Sequence, residues 1–278
     1  MSQPLSAHSA RVKAARRLTK RTFRTRERLF LTEGPQGVRE ALGRPDTVVE
    51  VFATRDGTTR HPDLAGAARE QSVAWHQVGS DVLTSLTQTV TPQGVVAVCR
   101  ALDEPLREVL RGSPALAALC ANVRDPGNAG TVVRCADAAG ADAVVLAGSS
   151  VDPYNGKCVR ASAGSLFHLP VSAGATVEEA VAAARDAGLR VVAADGSAST
   201  DLHEAEERGL LSEPTAWMFG NEAWGLPADE AALADLVVRV PIFGRAESLN
   251  LATAAAVCLY ASARSQRRDG CLGTPPAR

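Results

Sequence analysis

Apolar segments alternate with helix-forming segments from residue 115 to residue 265, and this alternation restricts the possible folds more than any other feature. Strands are predicted at 115–121, 143–147, 189–194, 215–219 and 236–240. Helices are predicted at 129–139, 157–166, 177–187, 228–236 and 248–265. Strands that alternate with helices form a largely parallel sheet covered on both faces. We therefore predict an α/β domain at 115–265.

A second, smaller α/β pattern precedes this domain at residues 28–100. Predicted strands at 48–53, 73–78 and 94–99 are separated there by segments of helical composition. Residues 101–114 contain Pro105, Gly112 and Pro114, which is typical of a linker. Residues 266–278 are rich in glycine and proline, and we predict a disordered tail.

Composition excludes several classes of protein. Hydrophobic residues make up 45% of the chain, enough to bury a core. No apolar run approaches the ~20 residues that a membrane helix requires, and the first residues do not resemble a secretion signal. The six cysteines form no CxxC pair and the five histidines show no ligand spacing. We therefore expect a cytoplasmic protein with no metal and no disulfide.

Positive charge is concentrated near the start of the chain. Residues 11–28 contain nine basic residues and one acid, whereas the whole chain has a net charge of −1. A solvated helical tail would explain this, but an acidic body would repel a polyanion unless a basic segment approached it. We predict that residues 1–27 form an arm that contacts RNA phosphates. Its predicted contacts are Arg11, Lys13, Arg16, Arg17, Lys20 and Arg21.

Common nucleotide-binding and nucleophile motifs are missing. The chain has no GxGxxG fingerprint, which disfavours a dehydrogenase-like α/β enzyme. Gly156-Lys157 is followed by Cys158, so it is not a P-loop. No GxSxG nucleophile elbow is present.

Three segments rich in glycine and small polar residues lie where predicted strands end. They are Asn122-Val123-Arg124-Asp125-Pro126-Gly127-Asn128-Ala129-Gly130 with the following residues to Arg134, Trp217-Met218-Phe219-Gly220-Asn221-Glu222-Ala223-Trp224-Gly225-Leu226-Pro227, and Val240-Pro241-Ile242-Phe243-Gly244-Arg245-Ala246-Glu247-Ser248-Leu249-Asn250-Leu251. Open α/β sheets bind their ligands at this edge. The sequence therefore predicts a ligand site built from these segments.

In this order the three segments resemble the signature motifs of the SpoU (TrmH-type) RNA ribose methyltransferases of the SPOUT class. The resemblance covers 115–264 closely, while 28–100 is more loosely similar to the ribosomal-protein-like substrate-binding domain of such enzymes. It implies a parallel-sheet SPOUT fold with a deep trefoil knot. It also implies S-adenosylmethionine as methyl donor, RNA as substrate, and a homodimer that contacts through the final helix and the knot.

The resemblance also assigns site residues. Cofactor contacts, made largely through backbone groups, fall on Gly220, Ile242 and Leu251. Catalytic roles fall on Asn128, Arg134, Glu222, Ser248 and Asn250. Arg134 matches the arginine that activates the ribose 2′-hydroxyl. Because a guanidinium holds its proton strongly, direct proton abstraction is costly. The alternative is that Arg134 orients the hydroxyl through a phosphate and stabilises developing oxyanion charge.

Each assigned residue also has a structural interpretation. Glu222 can be a carboxylate at a helix N-terminus, and Ser248 can cap the final helix with Asn250 inside its first turn. Arg134 can form a buried salt bridge to Asp137 or Asp142.

A further basic pair, Lys157 and Arg160, lies one helical turn apart in a segment that also resembles the family. We predict that both contact RNA phosphates, although a solvated helix end is the alternative.

The function that these observations favour is S-adenosylmethionine-dependent methylation of a ribose 2′-hydroxyl in RNA. The substrate-binding domain favours 23S ribosomal RNA over transfer RNA. A catalytically silent RNA-binding factor with the same fold is the alternative outside enzymology, and the presence of Asn128, Arg134 and Asn250 argues against it.

Overall fold

The computed structural model describes residues 4–268, which form two compact units. The first unit comprises residues up to Leu102 together with Tyr154–His168. The second unit comprises Asp103–Pro153 and the residues from Leu169 onward.

The helices and strands follow one another in this order. Up to Leu102 they are α1 (Ala10–Arg17), α2 (Arg21–Glu27), β1 (Leu29–Glu33), α3 (Pro35–Gly43), β2 (Val48–Ala53), α4 (Arg55–Arg60), α5 (Pro62–Glu70), β3 (Ala74–Gln77), α6 (Ser80–Thr84) and β4 (Val95–Arg100). Then come α7 (Leu106–Val109), β5 (Leu116–Ala121), α8 (Pro126–Ala139), β6 (Ala143–Ala147), α9 (Gly156–Ala161) and a 3₁₀ turn at Ser165–Phe167. The chain continues with β7 (Val171–Ala173), α10 (Val177–Asp186), β8 (Arg190–Ala194), β9 (Thr200–Asp201), α11 (Leu202–Glu207), β10 (Thr215–Phe219), α12 (Ala228–Ala231), β11 (Leu236–Arg239) and α13 (Leu251–Arg268).

The first unit is built on a four-stranded mixed sheet. Its order is β1-β4-β2-β3, with β4 antiparallel to both neighbours and β3 parallel to β2. The N-terminal helix α1 belongs to the core of this unit, because Val12, Ala15 and Leu18 are buried in one cluster with Val82 and Leu86.

Residues 1–27 are therefore not an arm that stands apart from the domain at 28–100, within the part that is described. The apolar residues of α1 recur at helical spacing and bury one face, while the basic residues occupy the other. This apolar face is narrow, and most of the neighbouring residues in the sequence are basic. Composition alone therefore does not reveal that the helix has a buried face.

The first unit also includes Tyr154–His168, which the sequence analysis placed within 115–265. Aromatic packing explains the difference, since Phe30 stacks on Tyr154 with ring centroids 4.6 Å apart and on Phe167 at 6.0 Å. The helix predicted at 157–166 stops at Ala161, because Ala163 and Gly164 both have positive φ.

The second unit is built on a seven-stranded sheet of order β7-β6-β5-β10-β8-β11-β9. All neighbouring strands are parallel, as the alternation of strands and helices predicted. The short strands β7 and β9 and the helix α11 are too brief to give a periodic pattern, and sequence analysis missed them. Helix α7 likewise lies inside the predicted linker 101–114.

The final helix α13 packs against α8 and against β10, on one face of this sheet. The indole N–H of buried Trp217 in β10 donates to the hydroxyl of Ser262 at 2.8 Å, which fixes the position of the helix. The predicted disordered tail overlaps the described helix only at 266–268, and its other residues lie outside the described part of the chain. No helix between residues 4 and 268 is long and apolar enough to span a membrane.

Candidate functional site

Three strands of the second unit end at the same level and bring the predicted segments together. Phe219 at the end of β10 is in register with Cys120 of β5 and with Ala194 of β8. The loops that follow these strands therefore emerge side by side at the carboxyl edge of the sheet, where open α/β sheets bind ligands.

The loop after β10 is a rigid turn. Asn221 and Gly225 exchange two backbone hydrogen bonds of 2.9 Å, and the Asn221 side chain accepts from the backbone N–H of Ala223 at 2.8 Å. Gly220 precedes the turn, and a Cβ on it would lie 2.4 Å from the carbonyl carbon of Gly225. Because backbone atoms block that space, no other residue fits at position 220 without displacing the turn.

Glu222 at the tip of this turn holds the loop that follows β5. Its carboxylate accepts hydrogen bonds from the backbone N–H of Arg124 at 3.2 Å and of Asp125 at 3.0 Å. It also accepts from the side-chain amide of Asn128 at 3.2 Å. These donors lie at the start of α8, where a carboxylate interacts favourably with the helix dipole. The carboxylate of Glu222 therefore has the helix N-terminal position that its structural interpretation predicted.

Asn250 connects the final helix to the same network. Its amide donates to the side-chain oxygen of Asn128 at 3.0 Å. Its own side-chain oxygen accepts from the backbone N–H of Ala252 at 3.0 Å and of Thr253 at 3.3 Å. Asn250, Asn128 and Glu222 thus form a continuous chain of hydrogen bonds, which we call the carboxamide relay.

The prediction that Ser248 caps the final helix is wrong. The helix α13 begins at Leu251, and Asn250 occupies the N-cap position. Both residue types are good caps, but the asparagine is immediately adjacent to the first helical turn. Ser248 is exposed and makes no hydrogen bond to another described residue.

A cavity of about 540 Å³ opens beside the carboxamide relay. All three predicted cofactor residues, Gly220, Ile242 and Leu251, line it, as do Glu222 and Ser248. Its volume falls in the range of ~300–1,000 Å³ typical of small-molecule sites. Sequence analysis missed three lining residues because they follow β8 or end β11 without a recognisable motif: Asp195, Gly196 and Arg239. Glu247 also lines the cavity and lies in the third predicted segment, but no role was assigned to it.

The wall formed by residues 241–249 is unusual because its backbone lacks internal partners. Within the described chain, no backbone–backbone hydrogen bond involves residues 241–249. Their N–H and C=O groups are therefore satisfied by solvent or by a ligand. Main-chain donors and acceptors beside apolar Ile242 and Leu251 suit a heterocycle such as adenine, which presents both an edge and an apolar face.

Arg239, which also lines the cavity, and Asp201 fix the backbone of residues 198–204. The guanidinium of Arg239 donates to the carbonyls of Ala198 at 2.8 Å and Ser199 at 3.1 Å. Hydrogen bonds from the backbone of Glu204 and His203, with the charge of Arg239, hold the pKa of Asp201 below its usual value. Asp201 therefore stays ionised through the neutral range and keeps the N-terminus of α11 capped.

Arg134 does not form the buried salt bridge considered above. It lies on the exposed side of α8 and makes no hydrogen bond or ion pair with another described residue. Arg134 lies six positions after Asn128 in α8. The two residues are therefore about 9 Å apart along the helix axis and about a third of a turn apart around that axis. The structure thus leaves its guanidinium available to a ligand but outside the carboxamide relay.

The predicted RNA contacts fall into two groups. Arg11 pairs with Glu50 at 2.9 Å, Arg160 pairs with Glu33 at 3.1 Å, and Arg16 donates to Ser85 at 2.8 Å. These interactions occupy the three side chains within the first unit. The remaining five are solvent-exposed: Lys13, Arg17, Lys20, Arg21 and Lys157.

The thiols and acids show no sign of a metal centre in the part of the chain described. No disulfide joins the described cysteines Cys99, Cys120, Cys135, Cys158 and Cys258, and no group of three potential ligands converges between residues 4 and 268. Burial raises the pKa of the Cys99 and Cys258 thiols, which therefore behave as small apolar residues. Cys271 lies outside the described residues.

Two family models match the chain. Residues 115–260 match the SpoU rRNA Methylase family, and residues 9–97 match the MRM3-like substrate binding domain. The second match begins immediately before α1, in agreement with the packing of that helix in the first unit.

Characterised relatives cover nearly the whole chain. The 23S rRNA (guanosine(2553)-2′-O)-methyltransferase RlmP of Bacillus subtilis is 36% identical over 94% of this chain and 98% of its own length. The 23S rRNA (uridine(2479)-2′-O)-methyltransferase of Streptomyces viridochromogenes is 33% identical over 93% of this chain and 90% of its own.

Solved structures give the same picture. An AdoMet-bound rRNA methyltransferase from Sinorhizobium meliloti has a TM-score of 0.81 and 32% identity, covering 94% of this chain and 97% of that one. The SpoU methyltransferase AviRb from Streptomyces viridochromogenes, in complex with AdoMet, has a TM-score of 0.80 and 31% identity, covering 94% of this chain and 100% of that one.

Proposed function

The chain belongs to the SpoU rRNA Methylase family, and on this premise we propose that it transfers a methyl group from S-adenosylmethionine to a ribose 2′-hydroxyl of 23S ribosomal RNA. The observation that carries the proposal is the carboxamide relay beside a cavity lined by Gly220, Ile242 and Leu251. The two relatives described above are named for this reaction on guanosine and on uridine, so the base remains open.

The cavity fits the proposed cofactor. Gly220 lets the turn after β10 close tightly at the cavity, the backbone of 241–249 supplies unpaired donors and acceptors, and Ile242 and Leu251 supply apolar surface. S-adenosylmethionine, when bound, supplies a methyl group on a sulfonium whose sulfur leaves as a neutral thioether. No metal is needed to stabilise such a leaving group.

The residues of the chain contribute position and charge. Glu222 and Asn128 hold the loop after β5 against the turn after β10, and Asn250 holds the start of α13 against both. A fixed geometry lowers the entropic cost of an in-line transfer. Ser248 has an unpaired hydroxyl beside the cavity, which suits it to bind the ribose or the cofactor.

Arg134 supplies the positive charge in this proposal. As the 2′-oxygen attacks the methyl group its hydroxyl proton passes to solvent. The oxygen develops negative charge on the way, and a guanidinium stabilises that charge directly or through the adjacent phosphate. The exposure of Arg134 and its lack of a partner among the described residues suit that role.

We propose a homodimer in which a second copy covers α13. The exposed residues of this helix include positions 253, 257, 260 and 264, which is helical spacing for one face. Val257 and Tyr260 on that face are 39% and 53% exposed, so a second copy that packs there would bury apolar surface. The segment that leads from β11 through residues 240–250 into α13 is where we propose the trefoil knot.

The cytoplasm, where ribosomal RNA is made, is the proposed location of the protein.

The experiment that tests the function measures transfer of tritium from labelled S-adenosylmethionine into separated 23S ribosomal RNA and transfer RNA. We expect label in 23S ribosomal RNA, and a loss of about 10²–10³-fold in rate with Arg134→Ala at unchanged cofactor affinity. Arg107→Ala is the matched control, because Arg107 is also an exposed arginine of the second unit. This variant should transfer the methyl group at the wild-type rate. Label confined to transfer RNA would contradict the substrate. Cofactor binding without label in either RNA would favour a silent RNA-binding factor.

The exposed basic residues of α1 and α2 are proposed to bind RNA phosphates. Truncation of residues 1–27 would remove Val12, Ala15 and Leu18 from the core, so charge removal is the better test. With Lys13, Arg17, Lys20 and Arg21 all changed to Gln, we expect the slope of log K against log salt to fall by up to ~0.7–0.9 for each phosphate that is no longer neutralised. An unchanged slope in a folded variant would contradict the proposal.

A further inference from the structure

The turn between β10 and α12 exposes a tryptophan that the proposed chemistry does not use. Trp224 is 50% exposed, whereas Trp217 is fully buried. The indole N–H of Trp217 donates to Ser262 and that of Trp75 donates to Thr58 at 3.0 Å. The indole N–H of Trp224 has no partner among the described residues. An exposed indole whose N–H is unpaired within the described chain offers a ligand both an aromatic face and a hydrogen-bond donor.

The ring of Trp224 is held in place from several directions. The turn that carries it is closed by the paired backbone bonds of Asn221 and Gly225. The guanidinium of Arg124 lies 5.0 Å from the centroid of the ring, within the range of a cation–π interaction. The backbone N–H of Arg124 donates to Glu222, so Arg124, in the loop before α8, is joined to the turn after β10 by two contacts.

The turn that carries Trp224 borders the cavity. Ala223 and Gly225, the neighbours of Trp224 in sequence, both line the cavity, and Glu222 belongs to the carboxamide relay. A ribose presented to the relay brings its base to the same turn, because base and sugar are joined by a single glycosidic bond. Bases that are read in single-stranded RNA are commonly stacked on aromatic rings and on guanidinium planes.

From these contacts we infer that Trp224 and Arg124 form a stacking platform for an unpaired base of the RNA, namely the base of the methylated nucleotide or of its direct neighbour. The inference rests on the proposed function, since it deepens the substrate recognition of the same site. Stacking on an indole needs only the face of a base and tolerates any base. The platform therefore selects a nucleotide that is flipped or looped out and does not select its identity.

The platform predicts a change in RNA affinity that leaves the cofactor unaffected. Loss of base–aromatic stacking weakens RNA binding by about 5- to 150-fold, so Trp224→Ala should raise KM for in vitro transcribed 23S ribosomal RNA by that factor. The affinity for S-adenosylmethionine and the sedimentation coefficient should stay the same. Trp224→Phe keeps an aromatic face and should restore most of the affinity. Arg124→Lys keeps the charge but not the plane, so it should raise KM without a change in the salt dependence of binding.

Fluorescence gives a readout that does not require transfer. In a Trp75→Phe background the remaining indoles are buried Trp217 and exposed Trp224. Stacking of a base should quench the emission, and Trp224→Phe in that background should abolish the quenching by 23S ribosomal RNA.

The outcomes separate the two proposals. The platform is overturned if Trp224→Ala leaves KM unchanged and Trp224→Phe in the Trp75→Phe background leaves the quenching unchanged. Methyl transfer by the wild-type protein would still uphold the proposed function in that case. A lower sedimentation coefficient in Trp224→Ala also overturns the platform, because the ring would then belong to a contact between copies. Quenching by 23S ribosomal RNA without any transfer by the wild type supports the platform and overturns the proposed function.

Discussion

The two walls of the cavity differ in how their backbones are held. The wall formed by the turn after β10 is closed by the paired backbone bonds of Asn221 and Gly225, and Glu222 ties this turn to the loop before α8. The wall formed by residues 241–249 has no backbone–backbone hydrogen bond within the described chain. The first wall is organised by bonds within the chain, and we expect the second to gain order when a ligand binds.

The organised wall should be the more sensitive to a single added carbon atom. In Gly220→Ala the new Cβ would lie 2.4–2.6 Å from backbone atoms of Gly225 and Leu226, so the turn must move. We expect cofactor affinity to fall by at least about tenfold, measured by isothermal titration calorimetry, since a shifted turn deforms the cavity.

Gly196→Ala is the matched control for that variant. Gly196 also lines the cavity, but a Cβ there meets no atom within 4 Å. Cofactor affinity should stay within about twofold of wild type. An equal loss of cofactor affinity in Gly220→Ala and Gly196→Ala would contradict the distinction between the organised wall and the open wall.

The open wall should be the one that changes most when the cofactor binds. Backbone N–H groups of residues 241–249 are unpaired within the described chain, and most of these residues are exposed, so their hydrogen exchange should be fast in the free protein. We expect S-adenosylmethionine to slow exchange there by at least about tenfold and to change residues 220–226 less. Equal protection of both segments, measured by mass spectrometry, would show that the walls become ordered together.

The smallest effect concerns the carboxamide relay. Asn250→Asp keeps an oxygen that caps α13 but removes the N–H that binds Asn128, while Asn250→Ala removes both. We expect Asn250→Ala to lower the free energy of unfolding by about 1 kcal/mol and Asn250→Asp to leave it within a few tenths. Both variants should slow methyl transfer, because both break the relay. Normal transfer by Asn250→Asp would reduce Asn250 to a helix cap.

The class of fold and the members of the site could be predicted from the sequence. The parallel sheet followed from strands and helices that alternate, and the site followed from three segments at strand ends. Asn128, Glu222 and Asn250 are joined in the structure, and Gly220, Ile242 and Leu251 line one cavity. Local patterns carry the class of fold and the edge of the sheet that bears the site, because periodicity and turn chemistry depend on neighbouring residues. The individual site residues were assigned through the resemblance to the SpoU family.

Other features arise only when distant parts of the chain pack together. Arg160 and Arg11 look like free cations in the sequence, but each faces a carboxylate brought from far along the chain, Glu33 and Glu50 respectively. The packing of Tyr154 and Phe167 on Phe30 assigned residues 154–168 to the first unit. The platform of Arg124 and Trp224 joins residues one hundred positions apart. Such contacts depend on which surfaces meet after the strands have paired, and no local pattern records that choice.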